Sequence, residues 1–544
     1  MPGRALQAMT RARVDDRMTM TLHTAAYVHA GLYQDSVALM RVAQGLQALP
    51  GVVHATLQMG SPANKDILRD AGLLDDAVAA AGPADIMVVV QARGADACRA
   101  ALAEARARLS GESRPPSGTG DAAGNTRPMA RALRQAAGAA AGPTAGAGLA
   151  QISVPGPYAA AEALKALALG LDVFLFSDNV PLAQEVALKR EAERRGRLVM
   201  GPDCGTAIVG GVPLGFANAV RRGAIGLVAA SGTGLQEVTC QIHRLGGGVS
   251  HAIGTGGRDL QAEVGAVSMR QGIALLARDP GTRVIAIISK PPAPQVAAWV
   301  RAALEAAGKP AVVLFIGQPA AAPQRRSAAP PLVQVGTLVD CAAQAVRLAG
   351  IRAPRHRAAA YPLPPRPRFA RGQRWLRALY SGGTFAAEAQ ALWSAMGLEV
   401  WSNVPLADGR ALPDARRASR EHTVLDLGDD AFTVGRPHPM IDATARIERL
   451  LQEAADPEVR VLLLDVVIGW GAHADPAAGL APAIREAQAI ARRGGRRLAV
   501  VGFVCGTDQD PQGLARQEAA LRDAGMVLAG NSANAAWLAH QWVR

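Results

Sequence analysis

The chain has 544 residues, 49% hydrophobic and 19% charged, a globular composition long enough for about three to four domains, which excludes a single small motif domain. Its formal charge of +13 raises nucleic acid as a partner, but only five cations are lysines, the arginines are scattered and aromatics make up 4%, so neither a basic stripe nor a stacking platform is on offer. Five widely spaced cysteines (Cys98, Cys204, Cys240, Cys341, Cys505) form neither a disulfide framework nor a zinc motif. With no apolar run of ~20 residues and no apolar core of signal-peptide length, a cytoplasmic protein with no metal, no membrane and no nucleic-acid partner is expected.

Residues 20–110 alternate short β-rich runs with helical patterns, from HTAAYVHAG to ADIMVVVQA and an Ala-rich helix, and predict a small α+β domain of ferredoxin-like type. The stretch 111–149, rich in Gly, Pro, Ser and Ala, reads as a linker. From 150 to 317, apolar strands (ISVPG, VFLFSD, LVMGPD, AIGLVAASG, VSHAIGTG, VIAIISK, AVVLFIG) are followed by amphipathic helices, the pattern of a parallel sheet covered on both faces. Two α/β domains are expected there, 150–220 and 221–317. Residues 318–370 hold two Pro- and Arg-rich stretches around the helical pattern DCAAQAVRLAG and read as a second linker. The same rhythm then resumes over 371–544, so the fold class is α/β, several doubly wound parallel-sheet domains behind a small α+β one.

In such sheets ligands bind where strands end and helices begin, because unpaired N–H groups and the helix dipole attract anions there. The strongest loop is Ser231-Gly232-Thr233-Gly234, between IGLVAA and LQEVTCQIHRLG, with two hydroxyls among its glycines. Its alternative is a tight turn with a capped helix. Gly469-Trp470-Gly471-Ala472-His473 repeats the strand–Gly–helix grammar, and His473 is a candidate proton donor or, equally, a hydrogen-bonded bystander. Gly201–Gly205, Gly254–Asp259 and Leu379–Thr384 occupy similar strand ends. Cys204 has no histidine nearby in sequence to make a thiolate, so packing is its plainer role. Arg258 suits a carboxylate or phosphate unless the adjacent Asp259 neutralises it. Asp429-Asp430 lacks a third ligand for a metal.

Taken in order, VPGPY (154–158), FSDN (176–179), GPDCG (201–205), SGTG (231–234) and GTGGRD (254–259) resemble the α subunit of succinyl-CoA synthetase. YSGGTF, LDLGDD, DVVIGWGAHAD and GFVCGTDQD resemble the CoA-ligase domain of its β subunit. The fusion order, the chain length and the amino-terminal segment resemble the FdrA family of acyl-CoA-synthetase-like proteins. The resemblance implies domains of succinyl-CoA-synthetase type, with coenzyme A held by Pro155, Gly156, Pro157, Tyr158, Ser177, Asp178, Asn179, Asp203 and Cys204. It also implies two facing helix N-termini gripping a phosphate, read as Ser231, Gly232, Thr233 and Gly234 on one side and Gly469, Gly471 and Ala472 on the other, with His473 and Arg258 as catalytic candidates.

The departures are as specific. The synthetase's phosphohistidine loop is replaced by QPAAAPQRRSAAPP, and its glutamate by Ser289-Lys290-Pro291-Pro292. No ATP-grasp domain or Walker loop is present, so ATP hydrolysis by this chain alone is not expected. The FdrA family is associated with oxamate carbamoyltransferase of purine-ureide (allantoin) breakdown, which uses phosphate and carbamoyl phosphate but neither ATP nor phosphohistidine, and which works with companion subunits. Three readings stay open: a carbamoyltransferase subunit, an acyl-CoA synthetase-like enzyme with coenzyme A and an ATP-grasp partner, and a non-enzymatic regulator on a degenerate ligase fold.

Overall fold

The computed structural model describes residues 22–32, 34, 36–82, 85–110, 148–320, 330–352, 364–407, 409–433 and 437–544. The chain divides into two compact units, Met1–Asn125 and Thr126–Arg544.

In the first unit, β1 (Leu22–His29), β2 (Val52–Met59) and β3 (Ile86–Arg93) form an antiparallel sheet in the order β1-β3-β2. The apolar run of β3 is continuous because the central strand is covered on both faces. Val88 and Val90 pack against Leu39, Leu46, Ala101 and Ala105 from helices Ser36–Gln47 and Ala95–Ser110, while Met87 and Val89 meet Leu68 and Val78 on the other side. The expected small α+β domain is there, with the helices between residues 62 and 79 filling the connection from β2 to β3.

The second unit holds three sheets. β4 (Leu149–Ile152), β5 (Asp172–Leu175) and β6 (Val199–Met200) are parallel in chain order. The next sheet contains β7 (Thr206–Val209), β8 (Val212–Gly215), β9 (Arg222–Ala230), β10 (Val249–Gly254), β11 (Val284–Ser289), β12 (Ala311–Phe315) and β13 (Leu332–Val335), ordered β13-β12-β11-β9-β10-β7-β8. Strands β9 to β13 are parallel, and β7–β8 is an antiparallel hairpin on the edge. The third sheet is parallel throughout: β14 (Trp375–Tyr380), β15 (Trp401–Ser402), β16 (Arg410–Ala411), β17 (Thr423–Asp426), β18 (Val459–Val467), β19 (Ala499–Cys505) and β20 (Met526–Leu528), ordered β16-β15-β17-β14-β18-β19-β20.

Two segments sit differently from their expected places. The hairpin β7–β8, within the segment 150–220, pairs with the second sheet; its Gly210-Gly211 turn, both residues at positive φ, is a hairpin signal that went unread. The segment 318–370 carries edge strand β13 and helix Leu338–Leu348, since LVQV and the amphipathic run after it have apolar faces to bury. Residues 321–329 and 353–363 of that segment, and 111–147 of the first linker, lie outside the described residues.

The second and third sheets are topological copies. In each, a first strand (β9 or β14) lies at the centre and is followed by a helix (Gly232–Arg244 or Gly383–Ala395), with β10 or β17 on one side and β11, β12 or β18, β19 on the other. Both series end on a helix, Leu338–Leu348 and Ser532–Val543. These four helices pack together between the sheets. The exchange across them is reciprocal: Leu338 N–H donates to Glu388 at 2.7 Å, and Ser532 N–H donates to Glu237 at 3.4 Å. Among the described residues, no helix is long and apolar enough to cross a membrane.

Candidate functional site

The loop after β9 and the loop after β14 meet head to head. Ser231 has extended backbone, caps helix Gly232–Arg244 by accepting from Gly234 N–H at 3.0 Å, and places its Oγ 2.5 Å from Thr384 Oγ1. A β-carbon on Gly382 would lie 2.3 Å from the Thr233 side chain, so glycine is required for the two helix starts to come this close. The second loop is fixed from beneath. Asp465 accepts from Ser381 N–H at 3.0 Å and from its hydroxyl, and Arg446 pairs with the same carboxylate at 2.7 Å.

Lys290 follows β11. Because Ser289 pairs in register with Ala230, Lys290 emerges level with Ser231. A β-carbon on Gly383 would sit 2.8 Å from Lys290 Nζ and 2.6 Å from Asp426 Oδ2, so both side chains reach the start of helix Gly383–Ala395. Burial pushes the Asp426 carboxyl up to about 6, with Lys290 and the Gly428 N–H pulling the other way. Asp203 keeps much of its side chain accessible, yet the protein crowds around it. That desolvation, reinforced by Asp178 and Asp430 and opposed by Lys290 and Arg258, raises it to about 7. His438 stacks at 5.6 Å on Phe216, and burial drops its ring to about 4, leaving it neutral. Its Nδ1 accepts from Met440 N–H, which leaves the proton on Nε2.

The other expected residues divide. Pro155–Tyr158 and Ser177–Asn179 are brought together: a β-carbon on Gly156 would lie 2.3 Å from the Asp178 carbonyl, and Asp203 N–H donates to Ser177 O at 2.9 Å. Ser177 is buried, and its Oγ has no hydrogen-bond partner among the described residues.

Cys204 is not available to a cofactor. It packs in the core with Phe174, Ala207 and Ile253, and burial pushes its thiol up to about 12. Arg258 is committed to structure. Its Nε pairs with Glu185 at 2.8 Å and its NH2 donates to Val180 O at 2.7 Å, beside the buried Lys189–Asp259 pair.

The loop that meets Ser231 is the one holding Thr384, and the turn Gly469–Ala472 meets the chain at Gly215–Ala217. Trp470 N–H donates to Ala217 O at 2.8 Å, and a β-carbon on Gly471 would lie 2.9 Å from Gly215 O, so the turn packs on the chain leaving β8. The physical reason is topological: this turn follows β18, the counterpart of β11, so it corresponds to the Lys290 turn. His473 lies in the same turn, with Nδ1 accepting from Asp475 N–H ahead of helix Pro476–Arg493. Lys290, Thr384, Asp426 and His438 take the places that sequence reasoning gave to Arg258, His473 and the Gly469 turn. The one signal for Lys290 was its position at a strand end before two prolines.

Against known proteins, the chain is 41% identical over 515 residues to the protein YahF of Escherichia coli K12, spanning 94% of this chain and 97% of that one. The chain belongs to the FdrA-like family. Within it, a profile for the heavy metal-associated domain of AllF matches residues 20–126, one for a CoA-binding domain matches 221–317, and one for CoA-ligase matches 379–542. The CoA-binding match thus falls on the segment after the one expected to bear it. The α subunit of succinate–CoA ligase [ADP-forming] from Staphylococcus aureus Mu50 is 29% identical over 190 residues, covering 33% of this chain and 60% of that subunit. A dinucleotide-forming acetyl-coenzyme A synthetase from Ca. Korarchaeum cryptofilum aligns over 73% of this chain and 83% of that one, at 16% identity and a TM-score of 0.27. The family member described here therefore carries CoA-binding and CoA-ligase domains and is similar in part to the succinate–CoA ligase α subunit.

Proposed function

We propose that the chain is a carbamoyltransferase subunit of the FdrA type, acting with companion subunits to exchange a carbamoyl group between oxamate and carbamoyl phosphate, as in purine-ureide breakdown. The observation that carries the reading is the convergence of two equivalent helix N-termini, at Ser231–Thr233 and Gly382–Thr384, beside the Lys290 ammonium. Exposed amides and aligned dipoles at such ends stabilise negative charge, most strongly where water is excluded. In the transfer, the oxamate amide nitrogen bonds to the carbamoyl carbon and gives up a proton, while the carbon–oxygen bond to phosphate breaks and its electron pair leaves with the phosphate. The charge gathering on that phosphate is what the two helix ends meet. Transfer is direct, so no side chain has to carry the group.

The test is carbamoyl phosphate turnover and phosphate release by the chain with its companion subunits. Ser231→Ala combined with Thr233→Val is expected to lower the rate by ~100-fold with the thermal midpoint within a few degrees of wild type. A rate within about twofold of wild type overturns the assignment.

A second reading is favoured by the CoA-binding and CoA-ligase matches: an acyl-CoA synthetase-like enzyme completed by an ATP-grasp partner. Pro155–Tyr158 and Ser177–Asn179 would hold coenzyme A, and the unpartnered Ser177 hydroxyl beside the Gly156 turn fits such a group. When bound, coenzyme A supplies a thiol that accepts the acyl group. Calorimetry separates the readings: micromolar coenzyme A binding supports the second, and millimolar or no binding counts against it.

A further inference from the structure

Of the five lysines, those with buried ammonium groups are tied down, with one exception. Lys189 is held by Glu185 at 2.9 Å, Asp259 at 2.7 Å and the Thr255 carbonyl at 2.9 Å. Lys309 donates to the carbonyls of Leu276, Asp279 and Thr282 at 2.7–2.8 Å. Lys290 is half-buried and makes no hydrogen bond or ion pair among the described residues. It stands against the N-terminus of helix Gly383–Ala395 and level with that of helix Gly232–Arg244. This is the wrong end of a helix for a cation, since the dipoles there are positive and repel an ammonium. Three unpaired donors and two positive helix ends around one point are stable together when an anion occupies that point.

We propose that Lys290 is the substrate-binding cation of this site: its Nζ binds the oxygens of a phosphoryl dianion, either inorganic phosphate or the phosphoryl end of an acyl phosphate. The inference rests on the phosphate reading above and assigns it the residue that balances the charge. Two neutral helix ends accommodate a monoanion, and the ammonium supplies the extra charge that a dianion needs. Of the two carboxylates that feel Lys290, Asp203, raised to about 7, is about half neutral at neutral pH, while Asp426, raised to about 6, is mostly ionised there and offsets part of the ammonium's charge.

The experiment is calorimetric titration of the full chain with inorganic phosphate at low ionic strength. Lys290→Met is expected to weaken phosphate about 10- to 100-fold, the usual consequence of deleting a charged hydrogen bond, and Lys290→Arg to stay within about fivefold of wild type. Phosphate binding by Lys290→Met equal to wild type, while Ser231→Ala with Thr233→Val abolishes it, overturns the role of Lys290 and leaves the phosphate site standing. Absence of phosphate binding by wild type overturns the site itself. A second measurement on wild type alone needs no variant to fold: amine acetylation read by mass spectrometry. Phosphate is expected to protect Lys290 and leave the exposed Lys165 unchanged. Equal acetylation of Lys290 with and without phosphate also overturns the proposal.

Discussion

Asp203 shows how single residues set the behaviour of the candidate site. Its carboxyl lies near 7 because the surrounding protein desolvates it and the charges of Asp178 and Asp430 oppose its ionisation, so its charge changes within the physiological range. The sign follows directly. Below 7 Asp203 is mostly neutral and spares a bound anion; above 7 it ionises and repels one. Phosphate affinity of wild type is therefore expected to fall relative to Asp203→Asn as pH rises from 6 to 8, phosphate's own ionisation cancelling in the ratio. A ratio that stays flat across that range removes Asp203 from the site's electrostatics. Little of this was legible in the sequence. Asp203 stood out as part of GPDCG, but the carboxylates that raise it come from distant stretches, 178 and 430. Lys290 read as the loss of a glutamate, and its position appears only once the register of β11 on β9 is known. Arg258 failed in the opposite way. A guanidinium in a Gly-rich loop looks available, and the partner that claims it, Glu185, lies 73 residues earlier on helix Leu182–Arg194.

Elements explain the main misreading. Strand–Gly–helix grammar is shared by Ser231–Gly234, Ser381–Thr384 and Gly469–Ala472, and pattern alone cannot say which pair faces which. Topology decides, because β9 and β14 occupy equivalent central places, so their following helices meet at the pseudo-symmetric junction, while the loop after β18 lies one strand over and is the counterpart of the Lys290 turn. Strand and helix periodicity, by contrast, was read well, since continuous apolar runs such as VRVLLLDVV have no stable alternative to burial on both faces. The tightness of the junction makes a quantitative expectation. Gly382 has ordinary extended φ, so alanine there carries no backbone strain, and its whole cost comes from the Thr233 methyl and hydroxyl 2.3 and 2.7 Å away. Gly382→Ala should destabilise by about 1–3 kcal/mol, and adding Thr233→Ala should recover most of it, since the β-carbon that remains is 3.0 Å away and needs only a small shift. Chemical unfolding of the four proteins gives the coupling; purely additive losses would mean the two helix starts do not touch.

At the scale of the molecule, one chain does what two copies of a domain do at an isologous interface: equivalent faces meet, and each supplies the other's missing partners. Glu237 and Glu388 exchange helix-terminal N–H groups, and Asp510 accepts from Asn218 at 2.9 Å and from Ala219 N–H at 2.7 Å. Arg244 concentrates this traffic. It ends helix Gly232–Arg244, is buried, and donates to Gly506 O at 3.0 Å, Gly530 O at 3.0 Å and Val504 O at 2.7 Å, one carbonyl at the end of β19 and two in the loops that follow β19 and β20. A cation suits the C-terminal end of its own helix, and its fork caps carbonyls that would otherwise be buried unpaired. Both loops of the candidate site hang from this interface, so the halves are expected to unfold together. Calorimetry of the full chain should therefore show the 126–544 unit melting in one transition that contains both sheets. Arg244→Met keeps the bulk and deletes the donors, at a cost of roughly 3 kcal/mol, and should lower that transition by a few degrees while leaving the one from residues 1–125 in place. Separate melting of the two seven-stranded sheets in wild type, or an unmoved transition in Arg244→Met, would show that the junction at Ser231 and Thr384 is a contact between independent domains instead of a site held by a single folding unit.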